Sequence, residues 1–112
     1  QMLDKVREFA EKYDVVKLGF SKGSVSRINL KYSNDGRAFV YGALDCTKTW
    51  SYDGKERKDY YTVNFNASGE LAEQMAELAE GDRVLILSER QRRKSGDKWY
   101  ENDRVILFQK IE

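Results

Sequence analysis

The sequence predicts a mainly β domain of five strands, with one helix before the first strand and another between the third and the fourth. Three observations support this prediction. Apolar and polar residues alternate along several stretches, the turn signals "SNDG" and "SGD" separate such stretches, and two other segments repeat apolar residues every three or four positions. No proline interrupts the 112 residues, so the strands are not broken. A chain of this length forms one domain.

The first segment is predicted to be a short amphipathic helix, because apolar residues recur at intervals of three and four from Met2 to Tyr13. We assign residues 1–13 to this accessory helix and residues 14–112 to the β domain. The domain begins with two β-type runs, "DVVKLGF" and "SVSRINLKY", on either side of "SKG". Strict alternation in the second run places on one face Ser26, Ile28, Leu30 and Tyr32, and on the other Val25, Arg27, Asn29 and Lys31.

The second strand is "RAFVYGALDCTKTW", in which Gly42 indicates a bulge or a bend. The segment "SYDGKERK" is predicted to be the turn into the third strand, "DYYTVNFNA". Alternation in the third strand puts Tyr61, Val63 and Phe65 on the apolar face. Tyr60 then lies on the displayed face, and Tyr61 is expected in the core.

The segment "SGELAEQMAELAEG" predicts the second helix, with Leu71, Met75 and Leu78 as its apolar stripe and Gly81 as its C-terminal cap. The runs "DRVLILSERQRRK" and "KWYENDRVILFQKI" form the last hairpin. This order of elements matches the five-stranded Greek-key barrel called the OB-fold, which binds oligonucleotides on its strand 2 and 3 face and in its loops.

The formal net charge of +1 conceals an uneven distribution of charge. Residues 15–37 carry a net +4, residues 48–58 a net +2 and residues 90–98 a net +4, whereas residues 70–82 hold five acids and no base. Such a distribution favours a basic surface that binds a polyanion while another surface stays acidic.

The residue types exclude most catalytic chemistry. There is no histidine, one cysteine and no glycine-rich phosphate loop, so nucleophilic triads, zinc sites and phosphate cradles lack their parts. A carboxylate-metal nuclease using Asp45, Asp59 and Asp103 is disfavoured, because these acids are isolated in basic surroundings. We expect no enzymatic activity, cofactor or metal. The single Cys46, the charged first segment and the lack of a long apolar run predict a cytoplasmic protein that does not act at a membrane.

Two longer stretches resemble a known family. "YSNDGRAFVYGALDCTKTW" is similar to the first turn and second strand of the bacterial and phage single-stranded DNA-binding proteins, and "KDYYTVNFNASGELAEQMAELAEGDRVLILSE" to their third strand, helix and fourth strand. The resemblance runs from Ser24 to Ile111. It implies an OB-fold, a role in DNA replication or recombination in a bacterium or a phage-infected host, and a dimer or tetramer associating through "SVSRINLKY". The family's acidic tail for recruiting proteins does not follow "LFQKIE", so no protein partner is assigned.

The predicted site combines rings that stack on unpaired bases with cations that neutralise phosphates. The resemblance places Trp50 and Tyr60 where family members stack bases, and Tyr52, Trp99 and Tyr100 are further ring candidates beside the hairpins. The cationic candidates are Arg27, Lys31, Lys48, Lys55, Arg57, Lys58, Arg90, Arg92, Arg93, Lys94 and Lys98. The alternatives are that Trp50 belongs to the core, that Trp99 caps the barrel, and that "RQRRK" is an ordinary solvated hairpin tip.

These observations favour binding of single-stranded DNA with little sequence preference. An RNA-binding OB module is the first alternative, since stacking and phosphate contacts do not distinguish ribose from deoxyribose. The second is a protein-interaction adaptor that keeps the barrel but does not bind nucleic acid.

Overall fold

The computed structural model describes residues 2–12 and 17–111 of the chain. Its elements in chain order are α1 (Met2–Lys12), β1 (Leu18–Tyr32), β2 (Ala38–Tyr52), β3 (Lys55–Ser68), α2 (Glu70–Met75), β4 (Arg83–Ser95) and β5 (Lys98–Lys110). The strands close into a barrel in the order β1-β2-β3-β5-β4. This confirms the predicted five-stranded Greek-key OB-fold, with one helix between β3 and β4 and one before β1. Neither described helix is long and apolar enough to cross a membrane.

A short parallel seam closes the barrel. All other neighbouring strands pair antiparallel, but β3 and β5 pair in parallel and only at Phe65 with Asp103 and at Asn66 with Arg104. On the hairpin-tip side of this seam the two strands separate, each remaining paired with its own hairpin partner. Two ribbons therefore leave the barrel from the same seam.

The core occupies the barrel end of each strand. Alternate residues of β2 and β3 fill it, among them Val40, Leu44 and Phe65, because successive side chains of a strand point to opposite faces. Helix α2 adds Ala72 and Met75, which are fully buried. The apolar residues of α1 predicted to form a stripe, and Tyr13, lie outside the side chains that the structure describes.

Strand β1 differs from its predicted form. From Leu18 onward the two β-type runs form a single strand, whereas residues 14–16 of the first run lie outside the described residues. The register of this strand against β2 shifts between Val25 and Arg27. Ser26 is the extra residue of this bulge, so Val25 and Ile28 both contact the core and the predicted strict alternation is wrong here. Gly42 is not itself a bulge. A Cβ atom at Gly42 would clash with the carbonyl oxygen of Arg27 and the ring of Phe65, so only glycine fits.

The second helix is shorter than predicted. It ends at Met75, and the following amides of Glu77 and Leu78 bond to carbonyls three residues back, as in a tighter turn. Gly81 is therefore not the helix cap; its φ of 92° belongs to the later turn, where its N–H donates to the carbonyl of Val25. Leu78 is still buried, because the tight turn carries it to the core.

Two hairpins extend well beyond the core as exposed arms. Pairing of β2 with β3 continues to Tyr52 and Lys55, so the predicted turn "SYDGKERK" is mostly strand, and only Asp53 and Gly54 form the turn. Both have positive φ, 57° and 75°, as a type I′ hairpin turn requires. Residues 47–62 form the β2–β3 arm and residues 90–101 the β4–β5 arm; every residue of both is exposed.

Candidate nucleic-acid interface

The two arms carry most of the residues that the sequence predicted for the site. The β2–β3 arm holds Lys48, Trp50, Tyr52, Lys55, Arg57, Lys58 and Tyr60, and the β4–β5 arm holds Arg90, Arg92, Arg93, Lys94, Lys98, Trp99 and Tyr100. Arg27 and Lys31 lie on β1. An arm made of two paired strands is a single layer without an interior, so its rings are not core residues. Their exposure leaves them free to stack on a ligand.

Alternation divides the β2–β3 arm into two faces. The side of β2 that faces the barrel interior continues into the arm as Lys48, Trp50 and Tyr52, and we call this side the inner face. Arg57 lies opposite Trp50 on the same face. Tyr60, 78% exposed, is on the other, outer face with Lys58. The prediction that Tyr60 is displayed is therefore correct, but the structure does not bring Tyr60 and Trp50 onto one surface.

Trp50 is held in place while its ring stays accessible. Its indole Nε1 donates a hydrogen bond of 2.9 Å to Asp59 Oδ2, and the guanidinium of Arg57 lies 6.0 Å from the ring centroid. Tyr52 is 6.4 Å away between centroids, tilted by 59°. Trp50 is 37% exposed and outside the core cluster. The arrangement thus holds one ring beside a cation that pairs with no carboxylate among the described residues, which suits a base and its phosphate.

The inner face of the β4–β5 arm repeats this combination. The guanidinium of Arg92 lies 4.8 Å and the ammonium of Lys94 6.0 Å from the centroid of the Trp99 ring. Arg92 also pairs with Glu101 at 3.7 Å. Trp99 is 57% exposed, so it does not cap the barrel. Register places Arg93, Lys98 and Tyr100 on the outer face of this arm.

The outer face of the sheet contains a further ring that was not among the predicted site residues. Tyr41 on β2 lies between Asn29 on β1 and Asn66 on β3, and it is half-exposed. Arg27 is on the same face, and its Nη2 donates to Asn64 Oδ1 at 3.4 Å. The available signal was that Tyr41 is out of phase with the buried Val40. Tyr61 was also misplaced: it is 45% exposed rather than part of the core.

A groove of about 720 Å³ separates this outer face from the β4–β5 arm. Its walls include Tyr41 and Asn64 on one side and Tyr100 and Asn102 on the other. Volumes of a few hundred Å³ or more are typical of sites for small organic groups. The three amide side chains that line it, including Gln91, were not among the predicted site residues. They come together only when β3 and β5 close the barrel.

A buried polar pair anchors the β4–β5 arm at the seam. Asp103, 4% exposed, accepts a hydrogen bond of 2.7 Å from the buried hydroxyl of Ser88, and Arg90 Nε lies 3.7 Å from the same carboxylate. Asp45 and Asp59 are exposed, so the structure gives the three acids of the nuclease alternative different environments. Among residues 2–12 and 17–111, no group of three potential metal ligands is present.

Cys46 points into the barrel and is 2% exposed. Its burial raises the pKa of the thiol above its ordinary value, although a hydrogen bond with Tyr61 acts in the opposite direction. The thiol therefore stays protonated at neutral pH and packs as a small apolar group. Nothing in its geometry gives it a role at the surface.

No protein-family model matches the sequence, and no curated protein sequence matches it. The structure is similar to a deletion mutant of the single-stranded DNA binding protein from Thermus aquaticus, with a TM-score of 0.76 and 20% identity, over 87% of this chain and 51% of that one. It is also similar to PriB from Ralstonia solanacearum, with a TM-score of 0.70, 11% identity, and coverage of 88% and 100%.

A third similar structure is the small single-stranded DNA-binding protein from Streptomyces coelicolor, with a TM-score of 0.68, 16% identity, and coverage of 84% and 91%. The chain thus spans about half the length of the Thermus protein and nearly all of the other two. At these identities the likeness is one of fold. It confirms the resemblance at that level: the chain is an OB-fold barrel of the type found in bacterial single-stranded DNA-binding proteins.

Proposed function

We propose that the protein binds single-stranded DNA with little sequence preference, by stacking bases on the rings of its arms and neutralising phosphates with the adjacent cations. The observation that carries the proposal is that two arms without a core display rings and cations on both faces. Folding does not require exposed rings there, whereas an unpaired base offers a flat apolar face to each of them. Bases stacked within a duplex do not offer that face.

The charges of the arms support the same conclusion. Within the described residues, Arg90 and Arg92 are the only predicted site cations in ion pairs. The others, such as Arg93, Lys94 and Lys98, are exposed and within 4.0 Å of no described carboxylate oxygen. Like charges crowded on a two-stranded arm repel one another, and a phosphate backbone relieves that repulsion. Phosphate contacts carry no sequence information, which gives binding without sequence preference.

The cellular role that we propose is to cover single-stranded intermediates of DNA replication or recombination. Two of the similar structures carry the name single-stranded DNA-binding protein, and they supply the matching fold. Exposed rings and cations form a binding surface, and we propose no catalytic step.

Titration of the protein with oligo-dT, oligo-rU and duplex DNA of equal length tests the proposal. We expect oligo-dT to quench tryptophan fluorescence, since Trp50 and Trp99 lie on the arms, and to bind more tightly than the duplex. Tighter binding of oligo-rU than of oligo-dT would support the RNA alternative. Failure to bind any nucleic acid would refute the proposal in favour of a protein-interaction adaptor.

We also propose that the protein self-associates through the second half of β1. This half pairs with β2 along one edge, but β4 pairs with β1 only as far as Ser24, so within the described residues the other edge is open from residue 26 to residue 32. Leu30 and Tyr32 are exposed on this segment. An open edge with apolar side chains is a template for pairing with a second copy.

Sedimentation velocity over a range of micromolar concentrations tests this association. We expect the sedimentation coefficient to rise with concentration and Leu30→Lys to abolish the rise, because a charge on the open edge opposes strand pairing. The matched control is Leu18→Lys, a similarly exposed leucine in the part of β1 that already pairs with β4. A strict monomer at all concentrations would disprove the association.

A further inference from the structure

We propose that the groove between the outer face of β3 and the β4–β5 arm reads the edge of one unpaired base, with adenine as its preferred ligand. This inference rests on the proposed function and adds a single point of sequence preference to a track that otherwise has none. Rings and cations are sufficient for binding that is independent of sequence. The amide side chains of the groove add neither charge nor an aromatic surface, so they need a separate explanation.

Barrel closure brings these amides together. The seam pairs Phe65 with Asp103, so Asn64 and Asn102 each precede the seam by one residue and lie side by side on the outer face of neighbouring strands. Gln91 lies directly opposite Asn102 on β4. All three line the groove. Amides from three strands therefore surround one space.

The hydrogen bonds of the amides give the groove both a donor and an acceptor. Asn64 Oδ1 accepts from Arg27 Nη2, so its amide nitrogen is left to donate into the groove. Gln91 Nε2 donates to Glu89 Oε1 at 3.4 Å, so its amide oxygen is left to accept. The half-buried Asn102 makes no side-chain hydrogen bond within the described residues, so its donor and acceptor are both available.

Adenine matches this arrangement. Its amino group donates on two edges, beside the acceptors N1 and N7, so two Asn or Gln amides can each pair with it through two hydrogen bonds. An unpaired thymine has one donor and can pair with one amide in this way. Two half-exposed rings, Tyr41 and Tyr100, line the same groove and offer stacking surfaces for a purine. Arg93, also in the lining, is exposed and available for the adjoining phosphate. Base edge, base face and phosphate thus each have a partner in the groove.

The experiment compares oligo-dT with the same oligonucleotide in which one central thymine is replaced by adenine, or by an abasic site. We expect the wild-type protein to bind the single-adenine strand about fivefold more tightly than oligo-dT, the low end of the discrimination that a two-bond amide pair supplies. The abasic strand should bind no better than oligo-dT. The double variant Asn64→Ala, Asn102→Ala should bind the adenine and thymine strands equally, with an unchanged dependence on salt, because amides make no counterion-releasing contact.

Two further variants keep the experiment decisive. Asn34→Ala removes an exposed amide in the β1–β2 turn, away from the groove, and should keep the adenine preference. Asn64→Asp with Asn102→Asp preserves side-chain shape should the alanine variant fold poorly; the ratio of the two affinities should again fall to one. Equal affinity of the wild-type protein for both strands, or a preference that survives both double variants, would overturn the inference. Failure to bind any single strand would instead overturn the proposed function.

Discussion

Changing Arg92, Arg93 and Lys94 to Gln should flatten the slope of log affinity against log salt concentration by about 2 units. Each phosphate contact on a single strand contributes roughly 0.7 to that slope, and the three cations lie on an exposed arm, with Arg92 and Lys94 on its inner face and Arg93 on its outer face. Over one decade of salt concentration this means that the triple variant should bind about a hundredfold more weakly than the wild-type protein at 0.1 M salt, and about equally well near 1 M. Affinity should fall equally for oligo-dT and for mixed sequences.

The matched control changes Lys22, Arg83 and Lys110 to Gln. These substitutions remove the same amount of charge as the arm variant. The three residues lie at the barrel end of β1, β4 and β5, far along the strands from the arm tips. The control should leave the slope almost unchanged. A triple arm variant with the slope of the wild-type protein would show that the β4–β5 arm points away from the bound strand, and would confine the site to the β2–β3 arm and the outer face.

Trp50→Ala should weaken binding of single-stranded DNA by about 1–3 kcal/mol, the value of one stacked base, while the far-UV spectrum stays unchanged. The ring contacts Asp59, Arg57 and Tyr52 on the arm and belongs to no core cluster, so its removal leaves no cavity. Fluorescence anisotropy with labelled oligo-dT measures the loss. Trp50→Phe should retain most of the affinity, because a ring remains.

The control for this prediction is Phe20→Ala, which removes an exposed ring from the barrel part of β1, opposite Leu87, rather than from either arm. It should leave binding unchanged. If Trp50→Ala unfolded the protein while Trp50→Phe preserved both fold and affinity, the ring would be structural and the inner face would not be part of the strand track.

The number of strands and their order could be predicted from the sequence because each strand has a buried half whose apolar residues alternate. The lengths of the hairpins could not. Beyond Cys46 and before Val63 there is no core to impose an apolar pattern, so "SYDGKERK" looked like a polar turn although its residues pair as strand. The Asp53 and Gly54 dipeptide was the local signal for a two-residue turn with long flanking strands.

The spacing of apolar residues also predicts the wrong local structure at two places, and each has a physical reason. Leu78 continues the helical spacing but is buried through a tight turn after α2 has ended at Met75. In β1, one inserted residue at Ser26 moves every later side chain to the other face, which spacing alone does not show. Such local departures are set by tertiary packing, here by the close approach of β1 to Gly42.

The candidate site was predicted by residue type but not by arrangement. Rings beside cations identified both arms, yet the faces of an arm follow from its register with the core, which places Trp50 and Tyr60 on opposite sides. Tyr41 lies within an apolar strand, where the sequence does not distinguish an exposed ring from a core residue. Asn64 and Asn102 are far apart in the chain, and only the two-residue seam between β3 and β5 makes them neighbours.

The arms and the core share no residue: none of the predicted site side chains belongs to the buried cluster. In many proteins the residues that act are also constrained by packing, so improving one property damages the other. In this protein, ligand binding depends on the arm ends of the strands and folding depends on their barrel ends. The arms can therefore gain or lose rings and charges, and change their ligand, at little cost to the free energy of unfolding. A barrel of this design separates evolutionary change in what it binds from the constraint of remaining folded.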